Sequence, residues 1–245
     1  MDRIIISMTS YPARIKYVGL VWFSIIKQIK PEYNIRCVLV LSEEEFPQKF
    51  NALPADIRQL ALNGFIEILW TPRNTRSHKK LMPVLEKYPD DSILIIDDDQ
   101  IRPDGWLDIF VKDHAKWPHD VLAGRIEQRE VRGHFVWRHI SDAERGTVIK
   151  YGRSQNGRGG TLYPAHTFKL PDFFNEAYYM KYSASSDESW QYFWLKKQGI
   201  FPRATTRYIR DDAGVIWGAQ KTALWNENAD KYDKILAVLN KTFPG

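Results

Sequence analysis

The segment Ser92-Ile93-Leu94-Ile95-Ile96-Asp97-Asp98-Asp99 constrains this chain more than any other. Consecutive aliphatic residues without polar alternation suit a parallel strand buried on both faces, and three carboxylates follow at its carboxyl end. Open α/β sheets bind ligands at that edge. With the backbone extended, Asp97 and Asp99 project to one side and Asp98 to the other, so the first and third carboxylates can converge on one cation. Hard oxygen donors favour Mg²⁺ or Mn²⁺, with phosphate oxygens completing the shell. The alternative is a solvated acidic turn that caps the next helix. Three adjacent carboxylates repel one another without a cation, which weighs against it.

The flanking pattern is that of βαβ units. Ile4 to Met8, Cys37 to Leu41, Phe65 to Trp70 and Ile93 to Ile96 read as strands. Ile15, Val18, Trp22, Ile25 and Ile29 recur at helical spacing before Pro31, which predicts a helix over Ile15 to Ile29. Ala55 to Leu62, between Pro54 and Asn63-Gly64, predicts a second helix. Ser77 to Tyr88 predicts a third, with Pro83 in its first turns or kinking it. Further on, Trp106 to Ala115 reads as a helix, Val121 to Ile126 as a strand and Tyr151 to Thr161 as a Gly- and Arg-rich loop leading into Leu162-Tyr163-Pro164. Ser186 to Lys197 and Asn228 to Leu239 read as helices. Trp22, Trp190 and Trp194 fall at helical spacings and read as core. With no internal repeat and no linker, residues 1–245 are expected to form a single domain.

Several classes are excluded or disfavoured. The most apolar run, Tyr17 to Ile26, is interrupted by Gly19 and Ser24 and stops at Lys27, short of the roughly 20 residues of a membrane-spanning helix. Asp2 and Arg3 precede only three isoleucines, unlike a signal peptide, so a cytoplasmic location is expected. The one cysteine, Cys37, excludes an intrachain disulfide and a multi-thiolate zinc site. A net charge of +5 suits an anionic ligand and is too mild to imply nucleic acid. Arg125 to Gly160 holds eight basic and four acidic residues, which suits phosphate or peripheral contact with an anionic membrane at the inner face of the plasma membrane; a solvated loop face fits the same composition.

Ile95-Ile96-Asp97-Asp98-Asp99 resembles the Asp-x-Asp motif of GT-A-fold glycosyltransferases, which move a sugar from a nucleotide-sugar donor to an acceptor. Other segments resemble bacterial enzymes of this type that build capsular or lipopolysaccharide sugars, and they occur in the expected order. They are Met8-Thr9-Ser10-Tyr11-Pro12-Ala13-Arg14-Ile15, Ser77-His78-Lys79-Lys80-Leu81, Gly159-Gly160-Thr161-Leu162-Tyr163-Pro164 and Asp187-Glu188-Ser189-Trp190. The resemblance implies a GT-A, Rossmann-like α/β domain whose central, mostly parallel sheet is flanked by helices. Residues 1–100 would mainly bind the nucleotide sugar and 101–245 would mainly face the acceptor.

It further implies that Thr9, Tyr11 and Arg14 lie against the nucleotide, that Lys79 or Lys80 reaches its ribose or diphosphate, and that Asp97 and Asp98 meet the donor. Asp97 and Asp99 would hold Mn²⁺ or Mg²⁺, and Gly159 to Tyr163, with Gly160, would line the donor-sugar or acceptor cleft. Read locally, Thr9 or Ser10 can instead cap the first helix, and the basic group from Arg73 to Lys80 can be a solvated helix start. The acidic pair Asp187 and Glu188 matches the family's catalytic pair, with Glu188 as the base that takes the acceptor's proton in an inverting transfer. It departs from the commoner Asp-Asp. Ser185-Ser186-Asp187-Glu188 is also a Ser-x-x-Glu capping box, which accounts for both acids without chemistry.

His134, His139 or His166 offers a third metal ligand or a surface histidine, and Arg207, Arg210, Asp211 and Asp212 offer a diphosphate contact or a salt-bridged turn. The implied donor is a UDP-sugar and the acceptor a polysaccharide or lipid-linked oligosaccharide. The competing functions are an Asp-dependent phosphate-ester hydrolase and a non-catalytic carbohydrate- or anion-binding domain.

Overall fold

The structure, a computed structural model, describes residues 2–154, 159–207, 214–220 and 231–244. Strand β1 (Ile4–Thr9) is followed by helix α1 (Ile15–Ile26), β2 (Ile35–Ser42), α2 (Ala55–Leu62), β3 (Glu67–Thr71), α3 (Met82–Lys87) and β4 (Ser92–Ile96). After α4 (Trp106–Lys116) come β5 (Leu122–Ala123), β6 (Ile126–Val131), β7 (His134–Trp137), β8 (Gly152–Ser154), β9 (Thr161–Tyr163) and β10 (Arg203–Ala204). Helices Glu176–Tyr182 and Asp187–Lys197 precede β10, and helix Tyr232–Thr242 lies near the C-terminus.

Seven strands form one sheet in the order β10-β5-β9-β4-β1-β2-β3. β1 pairs parallel with both β2 and β4, while β9 runs antiparallel between β4 and β5. The chain therefore leaves β1 toward one side of the sheet and returns to its other side at β4. That change of direction opens a crevice at the carboxyl ends of β1 and β4.

Alternation along the central strands sends neighbours to opposite layers. Ile4, Ile6, Met8, Leu94 and Ile96 pack with Val18, Trp22, Ile57 and Phe110 from α1, α2 and α4. Ile5, Val38, Val40, Ile93 and Ile95 pack on the other face with Val84, Trp190 and Trp194. Trp22, Trp190 and Trp194 are core, as their spacing predicts. Each buried side chain of this size contributes about 1.5–3 kcal/mol. Among the described residues, no helix is long and apolar enough to cross a membrane.

Three expected elements are divided differently. The helix expected over Ile15 to Ile29 stops at Ile26, because Gln28 turns its amide oxygen to Leu107 N–H and its amide nitrogen to Ser24 O. The helix expected over Ser77 to Tyr88 is a 3₁₀ turn, Arg76–Lys80, followed by α3. An unbroken helix would drive the Pro83 ring into the carbonyl of residue 79, whereas the break places Pro83 in a first turn. The strand expected over Val121 to Ile126 leaves the sheet at Gly124, where a Cβ would lie 2.3 Å from Gly159 O. Its continuation, β6, forms a second sheet in the order β7-β6-β8. The β6–β7 hairpin turns on Arg132 and Gly133, both at positive φ as a two-residue hairpin loop requires.

Gly160 adopts φ +80° at the start of β9, and a Cβ there would lie 2.9 Å from Trp106 Cζ2. Gly133 has φ +85° in open space. Gly160→Ala should therefore lower the urea-derived unfolding free energy by about 3 kcal/mol, from backbone strain plus overpacking, against about 1 kcal/mol for Gly133→Ala. Equal costs would refute the packing account.

Candidate functional site

The crevice between β1 and β4 is built around two buried cations. β4 ends at Ile96, and Asp98 and Asp99 lie in a turn rather than an extended continuation. The side chains therefore do not alternate as expected: Asp97 goes one way, while Asp98 and Asp99 share a partner. Arg14 Nη1 donates to Asp98 at 2.7 Å and Arg14 Nη2 to Asp99 at 3.3 Å. Ser10 Oγ donates to Asp98 at 2.6 Å. Asp98 is buried, and burial pushes its carboxyl up to about 6 despite Arg14.

Arg14 immediately precedes α1 at its N-cap position, and no side chain, Thr9 and Ser10 included, caps that helix. Thr9 Oγ1 donates instead to Val40 O at 2.8 Å. The Tyr11 carbonyl accepts from the N–H groups of Arg14 and Ile15, so these two backbone donors serve the turn. The Arg14 guanidinium lies 5.9 Å from the Tyr11 ring centroid and also donates to Ala219 O at 2.8 Å.

The second cation is Lys80, whose side chain is 2% exposed. Its ammonium pairs with Asp97 and, at 3.1 Å, with Asp187. Burial opposes the charge, but Asp187 and Asp97 outweigh it and hold the ammonium above the ordinary lysine range. Burial likewise pushes Asp187 up, and Lys80 and His78 more than offset this, so the carboxylate is held below its usual range. Gln191 Nε2 donates to Asp187 at 3.3 Å, and Tyr163 OH donates to Gln191 at 2.9 Å. His78, Lys79 and Lys80 are all buried, so the solvated reading fails for these three, whereas Arg73 and Arg76 of the same basic group are exposed. Lys79 turns to Glu45 and to Asn74 at 2.9 Å. His78 meets Ser183 O at 2.9 Å, and burial lowers its pKa against the opposing pull of Asp187.

Helix Asp187–Lys197 is capped by Ser186, whose hydroxyl accepts from Ser189 N–H. The expected Ser185-to-Glu188 box is thus one residue out of register: Glu188 occupies the second helical position, not the third. Its carboxylate instead accepts from Arg153 Nη1 at 2.7 Å. Burial, the largest influence, raises the Glu188 pKa, with Asp187 and Asp97 adding to it and Arg153 opposing. A carboxyl tuned upward beside a cleft suits proton transfer.

Of the other candidates, Gly160 is buried against Trp106 at the base of β9, a structural placement. His134, His139 and His166 pair at the surface with Asp233, Glu127 and Asp90. Of the basic stretch, Arg125, Arg129 and Arg153 pair with Glu127, Glu144 and Glu188. Gly157, Arg158, Arg210, Asp211 and Asp212 lie outside the described residues. Sequence reasoning missed Arg153, Ser10 as a partner of Asp98, and the carbonyl of Ala219. Only Arg153 had a signal, as a cation in the basic stretch.

Among the described residues, no three His, Cys, Asp or Glu side chains gather closely enough to hold a metal ion by themselves. Asp97 and Asp99 nevertheless offer hard oxygen donors with side chains 34% and 18% exposed. Such donors suit Mg²⁺ or Mn²⁺ chemically, but the two carboxylates are turned to different cations, so an ion there would need further oxygens from a phosphate ligand.

No family model and no curated protein matches this chain. Solved structures do. Residues 1–349 of S. aureus TarS in complex with UDP superpose over 99% of this chain and 72% of that one, with TM-score 0.55 and 17% identity. A second TarS 1–349 structure gives 100%, 73%, 0.56 and 17%. A longer TarS structure gives a TM-score of 0.56 at 19% identity, and this chain spans 44% of its length. At such identity the likeness is one of fold. The mainly parallel sheet flanked by helices implied by the GT-A resemblance is the architecture of this chain.

Removing the Lys80 charge leaves Asp187 buried without its main counter-ion. Lys80→Met should cost about 3–5 kcal/mol of stability in chelator at neutral pH. In the wild-type chain the contribution of Asp187 is present above about pH 4 and lost as pH falls through its depressed value. In the variant burial acts without Lys80, the Asp187 pKa rises, and stability should fall as pH rises. Urea titrations at several pH values read this, and parallel curves for the two proteins would refute it.

Proposed function

We propose that this chain is a glycosyltransferase that moves a sugar from a nucleotide-sugar donor, a UDP-sugar, to a polysaccharide or lipid-linked oligosaccharide, with inversion. The single observation that carries this reading is that Lys80 brings Asp97, from the end of β4, together with Asp187, beside a Glu188 of raised pKa. Donor-side and acid–base groups thereby meet at the switch point of the sheet. Support comes from the fold shared with TarS, which was crystallised in complex with UDP.

Residues 1–100 supply the donor side, with Arg14 and Lys80 fixing the acidic turn. Residues 101–245 supply Glu188 and its partner Arg153. Asp97 and Asp99 are the residues that would hold Mn²⁺ or Mg²⁺, which when bound supplies Lewis-acid stabilisation of a leaving diphosphate. Glu188 accepts the proton of the acceptor hydroxyl as the sugar–oxygen bond forms and the bond from the anomeric carbon to diphosphate breaks. Arg153 orients that carboxylate. Such general-base assistance is worth about 10²–10⁴ in rate.

Thermal unfolding with UDP, with Mn²⁺ and with both tests the donor site. The midpoint should rise most when both are present, because each ligand binds the native state, and Asp99→Ala should abolish the joint increment. An undiminished increment in that variant would remove Asp99 from the site. A screen of nucleotide sugars for slow donor hydrolysis identifies the sugar.

Glu188→Gln should retain the UDP-dependent shift and lose transfer by about 10²–10⁴-fold. Retained transfer would return Glu188 to a purely structural partnership with Arg153. Donor binding without turnover on any nucleotide sugar would favour a binding domain, and release of phosphate from simple phosphate esters would favour a hydrolase.

A further inference from the structure

Arg153, which holds Glu188, is itself held by the start of helix Tyr232–Thr242. Its side chain is 1% exposed and its nitrogens are fixed: Nη1 donates to Glu188 at 2.7 Å, while Gln128 Oε1 accepts from Nε at 2.9 Å and from Nη2. The guanidinium carbon lies 4.1 Å from the centroid of the Tyr232 ring and 5.2 Å from that of Phe135. Tyr232 is the first residue of its helix and is buried. The next residue, Asp233, anchors that turn on β7. Its Oδ1 accepts from Phe135 N–H at 2.7 Å, and its Oδ2 meets His134 Nδ1 at 3.2 Å. Further along the helix Leu236 and Leu239 enter the core, whereas Tyr232 lays its ring on the cation.

A desolvated guanidinium is attracted to an aromatic face more strongly than an exposed one, and Gln128 is a neutral acceptor that supplies it no charge. An aliphatic side chain at 232 would fill space without attracting the cation. The phenol also senses the pair: burial pushes its pKa up to about 12, with Glu188 adding to the rise and Arg153 opposing it. We propose that Tyr232 is a positioning residue for Glu188: its ring, set in place by Asp233, keeps the Arg153 guanidinium where Nη1 meets the carboxylate. This assignment rests on the transferase reading and adds the start of helix Tyr232–Thr242 to the groups that serve its base.

Carboxyl ¹³C NMR titration of glutamate-labelled protein, with the Glu188 signal assigned from Glu188→Gln, tests this without requiring turnover. Burial raises the Glu188 pKa most; Arg153 of β8 opposes it, as Lys80 of the 3₁₀ turn does more weakly, while Asp187 of the same helix and Asp97 after β4 add to it. Tyr163 of β9 and Tyr232 face it as phenols that burial holds above the ordinary tyrosine range. Tyr232→Leu should let Arg153 stray and raise the proton affinity of Glu188 about tenfold, whereas Tyr232→Phe, which keeps the ring, should stay within about twofold of the wild-type chain. Asp233→Ala releases the helix start from Phe135 N–H, should act in the same direction as Tyr232→Leu, and decides the matter if the leucine variant does not fold. An unchanged or lowered Glu188 proton affinity in Tyr232→Leu, or in Asp233→Ala where that variant alone folds, would overturn the positioning role, as would an equal rise in Tyr232→Phe. The expected titrations in a chain that hydrolyses no nucleotide sugar would overturn the transferase reading instead, so the two failures are distinguishable.

Discussion

A lysine ammonium sealed from water cannot stand without counter-charge, and Lys80 obtains it from two carboxylates far apart in sequence. Asp97 directly follows a central strand and Asp187 begins a helix packed on the sheet, so one desolvated cation fixes the distance between them. The Lys80 carbonyl is held as well, accepting from Ser7 Oγ at 2.6 Å. Backbone and side chain of one residue thus tie β1, β4 and helix Asp187–Lys197 to a common point.

Arg14 repeats this arrangement on the other side of the crevice. It joins the turn after β1, the turn after β4 and the segment containing Ala219. Between them, the two cations set the three aspartates in fixed and different environments: Asp98 is buried, whereas Asp97 and Asp99 remain partly open. Groups held in this way need no reorganisation when charge develops on a ligand, which is the main electrostatic advantage of a preorganised site. The small sheet extends the same logic to Glu188, which Arg153 holds while Gln128 holds Arg153.

Much of this was legible in the sequence because continuous apolar runs and helical periodicity depend only on local residues. The buried strand Ser92–Ile96 and the helix Ala55–Leu62 are examples. Partnerships set by tertiary packing were not legible. Lys79 and Lys80 are adjacent and chemically alike, yet the 3₁₀ turn sends one to Glu45 and the other to Asp97. The extended geometry assumed for Asp97 to Asp99 failed because Arg14 draws two of them to one guanidinium. Arg153 could be read only as part of a basic stretch, since it stands beside Gln128 through the pairing of β8 with β6, a contact between residues far apart in sequence.

Sugar transfer at this crevice requires that the rim of β4 hold a divalent ion together with a nucleotide diphosphate. Anomalous diffraction from a crystal grown with UDP and Mn²⁺ addresses this directly. The expected result is one manganese peak at coordination distance from Asp97 and Asp99 carboxylate oxygens and from the diphosphate, with Lys80 still between Asp97 and Asp187. A nucleotide bound elsewhere, or bound at the rim with no manganese beside those two carboxylates, would contradict it.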